Sequence, residues 1–188
     1  MLKFCFLAVL LIQANAQYVC EDEIKTEMLE DYEQLVGNWT FLVGWNNIED
    51  SSEEDDKSGE EINCATMDIS ETSDDEVQSI RESCKDDFYY DFFDYANAKY
   101  KLIAPDLDME KSLIAVGSQK SILSTCGFIA SLEVRKVSDD YMIMINHELG
   151  SIFGGLIGKK IPEDDELVCL MYNIDVVKGL NPDAYCDE

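Results

Sequence analysis

Gly37-Asn38-Trp39-Thr40-Phe41-Leu42-Val43-Gly44-Trp45 is the run whose reading decides the fold. Counting by two from Trp39 places Trp39, Phe41, Val43 and Trp45 on one face. Asn38, Thr40, Leu42 and Gly44 fall on the other. The first row is uniformly apolar, so the run reads as a strand whose Trp39 face meets a core or a cavity. Asn38-Trp39-Thr40 is the single N-glycosylation sequon of the chain, and Asn38 lies on the outward row, where a glycan has room.

Upstream, Lys3 followed by an apolar run from Phe4 to Ile12 and the small-x-small site Ala14-Asn15-Ala16 has the form of a secretory signal peptide. The mature chain is expected to begin at Gln17 and to form one domain over residues 17–188. No later stretch is long and apolar enough to be read as a membrane span. Glu21 to Leu35 carries Ile24, Met28, Leu29 and Tyr32 at helical spacing, which predicts a short amphipathic helix stopped by Gly37.

Downstream, Glu49 to Glu61 is an acidic loop of eight acids with Lys57 alone opposing them. Ser51 and Ser52 each precede an acid by two residues, as in secretory-pathway kinase sites. The run lacks the spaced oxygens and central glycine of an EF-hand, which leaves calcium a weaker reading than a solvated loop. Short strands are then expected at Ile62–Ile69, Phe88–Tyr95, Lys99–Ala104, Ser112–Val116, Gly127–Val137, Tyr141–His147 and Glu166–Ile174, with a tight turn at Ala96-Asn97. Glu148 to Pro162 reads as a glycine-rich connection or a short helix. The rhythm of about ten residues per strand points to an all-β sandwich or up-and-down barrel.

The charge is extreme, with 40 acidic against 14 basic residues and a net of −26. Such a surface excludes nucleic acid, because no basic patch is present to displace phosphate counterions. It favours solubility and cationic partners, including a cationic protein. Besides Cys5 in the leader there are Cys20, Cys64, Cys84, Cys126, Cys169 and Cys186. An even set in a secreted chain implies three disulfides, with fifteen pairings open. No Cys-x-x-Cys occurs, and no metal or cofactor is expected. His147 is the single histidine. With no nucleophile elbow, no zinc-binding helix and no phosphate loop, the chain is read as a non-enzyme.

Gly37-x-Trp39 at the start of the first strand resembles the first motif of the lipocalin family. Val137-Ser138-Asp139-Asp140-Tyr141, between two apolar strands, is similar to that family's Thr-Asp-Tyr turn, with Asp140-Tyr141 matching its last two residues. The resemblance spans about residues 32 to 175. The match departs from the family at three points: the motif threonine is Ser138 or Asp139, the arginine that covers the tryptophan is not placed, and the C-terminal helix is weak or missing. The resemblance implies an eight-stranded antiparallel up-and-down barrel with a short N-terminal helix and a disulfide-tied C-terminal tail. The acidic loop would be the flap at its mouth. It also implies a Cys20–Cys126 bridge of the arthropod type, with Cys64 or Cys84 joined to Cys169 or Cys186. The first of these would contribute about 4 to 5 kcal/mol in the chain-entropy picture.

Such a cup holds one small hydrophobic molecule. Phe41, Val43, Phe88, Tyr90, Phe92, Tyr100, Leu102, Leu132 and Val134 alternate inward and are the candidate lining, while Trp39 belongs to the closed end. A biogenic amine is the alternative ligand. It needs an inward acid, and Asp94, on the face of Phe88, Tyr90 and Phe92, is the candidate. The competing function is a protein-binding or inhibitory module that acts through the acidic surface.

Overall fold

The computed structural model describes residues 20, 23–46, 60–62, 64–86, 93–107, 109–117, 121–125, 128–148 and 151–186. In chain order the elements are β1 (Glu27–Met28), a 3-10 turn (Tyr32–Leu35), β2 (Gly37–Asn46), β3 (Glu60–Ile62), β4 (Thr66–Glu71), α1 (Asp74–Ser83), a 3-10 turn (Tyr95–Asn97), β5 (Ala98–Ala104), a 3-10 turn (Pro105–Leu107), β6 (Met109–Val116), β7 (Ser121–Thr125), β8 (Phe128–Lys136), β9 (Tyr141–Glu148), β10 (Ser151–Gly158), α2 (Asp164–Asn173) and β11 (Pro182–Cys186). The fold is mostly antiparallel β-sheet with two short helices.

Gly37 has φ +142°, a conformation that side chains oppose, and it turns the chain from the 3-10 turn into β2. β2 pairs with β4, from Gly37↔Ile69 to Thr40↔Thr66. From β4 to β10 each strand pairs antiparallel with the next. β10 also pairs with β2, from Phe153↔Asn46 to Gly158↔Thr40. β11 adds to the outer half of β2, and β3 runs parallel to β11.

The inward rows form one apolar cluster that includes Trp39, Ile69, Tyr100, Ile114, Val134, Met142 and Ile157. Leu29, Tyr32 and Leu35, just before β2, pack into it from one end. A second cluster lies outside β2, β9 and β10, where Val43, Trp45, Ile143, Ile145 and Leu156 meet Leu170 and Met171 of α2. A third joins Val77 of α1 to Leu113 and Ala115 on the outer face of β6. Strand β9 is therefore buried on both sides, which is why it is apolar almost throughout.

The structure corrects several expectations about elements and adds one helix. The expected strand Glu166 to Ile174 is helical from Glu166 to Asn173, within α2, and Ile174 caps it in extended conformation. Leu167, Leu170, Met171 and Ile174 repeat at i, i+3, i+4 and i+7 and face the sheet, while Asp164, Asp165 and Glu166 in the first turn suit the positive end of the helix dipole. Glu148 to Pro162 contains a strand, β10. Its glycines read as a loop, but Gly155 and Gly158 are where neighbouring side chains press onto the backbone: a Cβ would stand 2.8 Å from Phe41 Cε2 and 2.6 Å from Leu42 Cδ1, respectively. Of the expected helix Glu21 to Leu35, the described part from Glu23 holds β1 and the 3-10 turn and no α-helix, since other segments take up its backbone groups: Ile24 N–H donates to Asn173 O at 2.9 Å and Leu29 N–H to Val134 O at 3.0 Å. Finally, α1 had no counterpart in the sequence reading. Its signal was Ser73-Asp74-Asp75-Glu76, a capping box in which the Ser73 hydroxyl and Glu76 carboxylate each bond the other's backbone. The end of the expected Phe88–Tyr95 strand is a turn at Tyr95–Asn97, and residues 87–92 lie outside the described residues.

Two disulfides are described, Cys20–Cys169 and Cys64–Cys186. The first overturns the expected Cys20–Cys126 link. The N-terminal segment lies along the end of α2, through an Ile24↔Ile174 bridge, and this brings Cys20 to Cys169. Cys64–Cys186 is one of the pairings left open, and it ties the C-terminal tail to the entry of β4 as expected. Cys84 is also disulfide-bonded, and Cys126 lies outside the described residues.

The same N-terminal segment is fastened by polar contacts. Thr26 Oγ1 donates to Asp175 Oδ1 at 2.7 Å and accepts from Arg135 Nε at 2.7 Å, while Arg135 Nη1 donates to Glu133 Oε1 at 2.7 Å. Burial opposes the charge of Asp175, but the Thr26 hydroxyl, the Thr26 and Val176 N–H groups and Arg135 outweigh it and hold the carboxyl below its usual value. No helix among the described residues is long and apolar enough to cross a membrane.

Candidate ligand cavity

The inward rows do not fill their interior evenly. At the end where β2 begins, large side chains meet: Trp39 is buried, and its Nε1–H donates to Leu35 O at 2.7 Å. Lys159, just after β10, sets its ammonium 5.0 Å from the centre of the Trp39 ring. The polar N–H of the indole is thereby satisfied and its outer face is covered.

Toward the other end the inward residues become smaller or more flexible. Ala130 on β8 and Gly155 on β10 contribute little volume, and Met67, Met109 and Met144 fill the wall loosely. A cavity of about 390 Å³ results. Leu102, Leu107, Leu123, Leu132, Phe153 and Ile157 complete much of its wall. That volume lies within the ordinary range for a small-molecule site of about 300 to 1,000 Å³.

Of the residues expected to line a cavity, Phe41, Leu102 and Leu132 do so. Tyr100 and Val134 point into the same interior but are packed in its filled end. Val43 lies on the opposite side. β2 has a bulge at Leu42, where Leu156↔Val43 is followed by Ile157↔Phe41, and the extra residue exchanges the two faces. Trp39 and Phe41 therefore point inward, while Val43 and Trp45 point out toward α2, where Trp45 Nε1–H donates to Met171 O at 3.2 Å. Asp94 is exposed and accepts from Asn97 Nδ2 at 2.7 Å, so the acid expected to face inward lies on the surface. Phe88, Tyr90 and Phe92 lie outside the described residues.

Sequence reasoning missed the methionines, Asn146 and Phe153. Met142, Met144 and Asn146 alternate on β9 and were legible as one row. Phe153 depended on recognising β10.

Among the described lining residues there is no acid and no base. Asn146 is the one polar side chain, and its Oδ1 is enclosed with no hydrogen-bond partner among the described residues. Tyr100, deeper inside, stays a neutral phenol, because burial and then Glu33, Glu71 and Asp31 raise its pKa. No group of three His, Cys, Asp or Glu side chains that could hold a metal occurs among the described residues. The ion pairs lie at the periphery, as in Lys101–Glu76, Lys136–Asp139 and Lys160–Asp140. Among the described residues the wall is therefore apolar apart from Asn146.

No protein-family model matches the chain, and no curated protein matches it.

Proposed function

We propose that the protein is a secreted carrier or scavenger that holds one small hydrophobic ligand inside a lipocalin-like, eight-stranded barrel, and that it catalyses no reaction. One observation carries this reading: an apolar cavity of about 390 Å³ lies among the inward rows and is stoppered at one end by Trp39 and its neighbours. Burial of apolar ligand surface there would supply the affinity.

Other features support the container. The pairing of β10 with β2 brings the last strand of the up-and-down series to the first. Lys159 lies over the Trp39 ring, where it would cover the tryptophan as the family's arginine does. α2 follows the last long strand and packs outside it, as the family's C-terminal helix does. The leader and the disulfides favour an oxidising, extracellular setting. The biogenic-amine alternative has lost its inward acid, because Asp94 is exposed. The acidic-surface alternative centres on a loop that lies mostly outside the described residues, and no observation favours it.

Titration of the oxidised mature chain with N-phenyl-1-naphthylamine tests the reading. Saturable, blue-shifted emission with one site per chain is expected, and Ala130→Trp, which fills the cavity, should abolish it. Neither tryptophan lines the cavity, so an external probe reports better than tryptophan quenching. Absence of saturable binding by this probe and by a panel of retinoid, fatty acid, steroid and tetrapyrrole would overturn the proposal.

A further inference from the structure

Methionine is concentrated in the cavity wall. Of the seven methionines in the chain, Met1 opens the leader, and three of the others, Met67, Met109 and Met144, border the cavity. These three are not equally enclosed. Met67 stands opposite Trp39 in the register of β2 and β4 and is buried, whereas Met109 and Met144 are half-buried. Met144 points inward from β9, whose edges pair with β8 and β10 and whose outer face is covered by α2. The part of its side chain that stays open therefore faces the cavity. Met109 begins β6, opposite Ala104 of β5. The remaining methionines serve as references: Met142 and Met171 are buried, and Met28 is exposed on β1, away from the described wall.

Resting on the carrier reading above, we infer that Met109 and Met144 form an oxidation site through which hydrogen peroxide empties the cavity. The lone pair of a thioether sulfur attacks one peroxide oxygen, and the S–O bond forms as the O–O bond breaks. The departing hydroxide takes the proton of the attacked oxygen and leaves as water. Sulfur is oxidised by two electrons to the sulfoxide, and the peroxide is reduced. The consequence follows from the surroundings. Leu102, Leu123, Leu132 and Ile157 border the same space, and a sulfoxide sets a strongly polar group among them. An apolar ligand entering the cavity then strips water from that group without replacing its hydrogen bonds. The flexible thioethers that let the wall fit a ligand turn against it once oxidised.

The test exposes the disulfide-bonded mature chain to increasing hydrogen peroxide and removes the excess with catalase. Peptide mass spectrometry then locates the sulfoxides, and the product is titrated with N-phenyl-1-naphthylamine. Sulfoxide should form at Met28, Met109 and Met144 before Met67, Met142 and Met171. Affinity for the probe should fall about tenfold as Met109 and Met144 are converted, with the circular dichroism spectrum unchanged. Leucine replaces methionine with little loss of packing. The Met109→Leu, Met144→Leu double variant should therefore bind the probe and keep its affinity through the same treatment, although Met28 still becomes a sulfoxide. Unchanged affinity in the unmutated protein with both sulfoxides formed overturns the inference and leaves the carrier reading standing, and this arm needs no variant to fold. Met109 and Met144 that stay thioethers while Met28 is oxidised overturn it as well, as does a loss of affinity in the double variant equal to the parent's. Failure of the probe to bind the untreated protein removes both.

Discussion

Gly155 lies beneath the ring of Phe41 so closely that a methyl group on it would stand 2.8 Å from Phe41 Cε2. The two residues face each other from adjacent strands at the inner surface, and the absent side chain is what allows the ring to lie against the wall. Gly155→Ala should push Phe41 into the cavity. We expect a loss of about 1 to 3 kcal/mol in urea unfolding, from overpacking, together with weaker binding of N-phenyl-1-naphthylamine. A variant as stable as the parent, with unchanged probe affinity, would show that the ring has free room to move.

Trp39 should behave as a structural plug. Trp39→Phe leaves the buried Leu35 carbonyl without its donor and is expected to cost about 1 to 3 kcal/mol. Lys159→Met removes only an exposed cation from the ring face and should cost about 0.5 to 1 kcal/mol. Denaturant unfolding of both variants gives the order, and a larger loss for Lys159→Met would contradict the geometry.

Peptide mapping without reduction should recover Cys20 linked to Cys169 and Cys64 linked to Cys186. The first bond closes a separation of 149 residues, so a Cys20→Ser, Cys169→Ser pair should lose about 5 kcal/mol in the chain-entropy model. Recovery of a Cys20–Cys126 peptide would reverse the correction reported above.

The carboxyl of Asp175 is held below its usual value of 3.8 in the folded protein. A depressed acid contributes stability that is fully present above its unfolded pKa and is lost as pH falls through the folded one. Thermal unfolding across pH 2 to 7 should therefore show Asp175→Asn less stable than the parent at neutral pH, with the gap closing below about pH 4. A gap that stays constant into acid would mean that the charge has no part in holding Thr26 and the N-terminal segment.

Asn38 is exposed on β2, opposite Asp68 of β4. Secretion from a eukaryotic host should yield a glycoform that collapses to one mass on treatment with peptide N-glycosidase, and Asn38→Gln should remove it without loss of probe binding. An unmodified Asn38 in that material would show that the strand blocks the transferase.

Much of the sheet could be read from local pattern. β8 shows Leu132 and Val134 alternating with Glu133 and Arg135, because one face meets the interior and the other meets solvent and Thr26. The expected Tyr141–His147 lacks only the last residue of β9, but β10 was harder, since its glycines and its covered outer face remove the polar row that marks a strand. The cavity was half legible: Leu102 and Leu132 follow from alternation, whereas Val43 does not, because a single bulge at Leu42 reverses the faces for the rest of β2.

The amino-acid sequence by itself determined an acidic, cysteine-bearing, all-β chain with a tryptophan-led strand, since composition and a two-residue period are local properties. Tertiary structure alone decided that Glu166 to Asn173 coils into a helix, that Cys20 reaches Cys169, and that Phe41, Leu102 and Leu132 border an apolar cavity while Val43 does not. Each of these depends on which distant segment competes for a backbone group, a thiol or a face, and that competition is settled only when the strands pack.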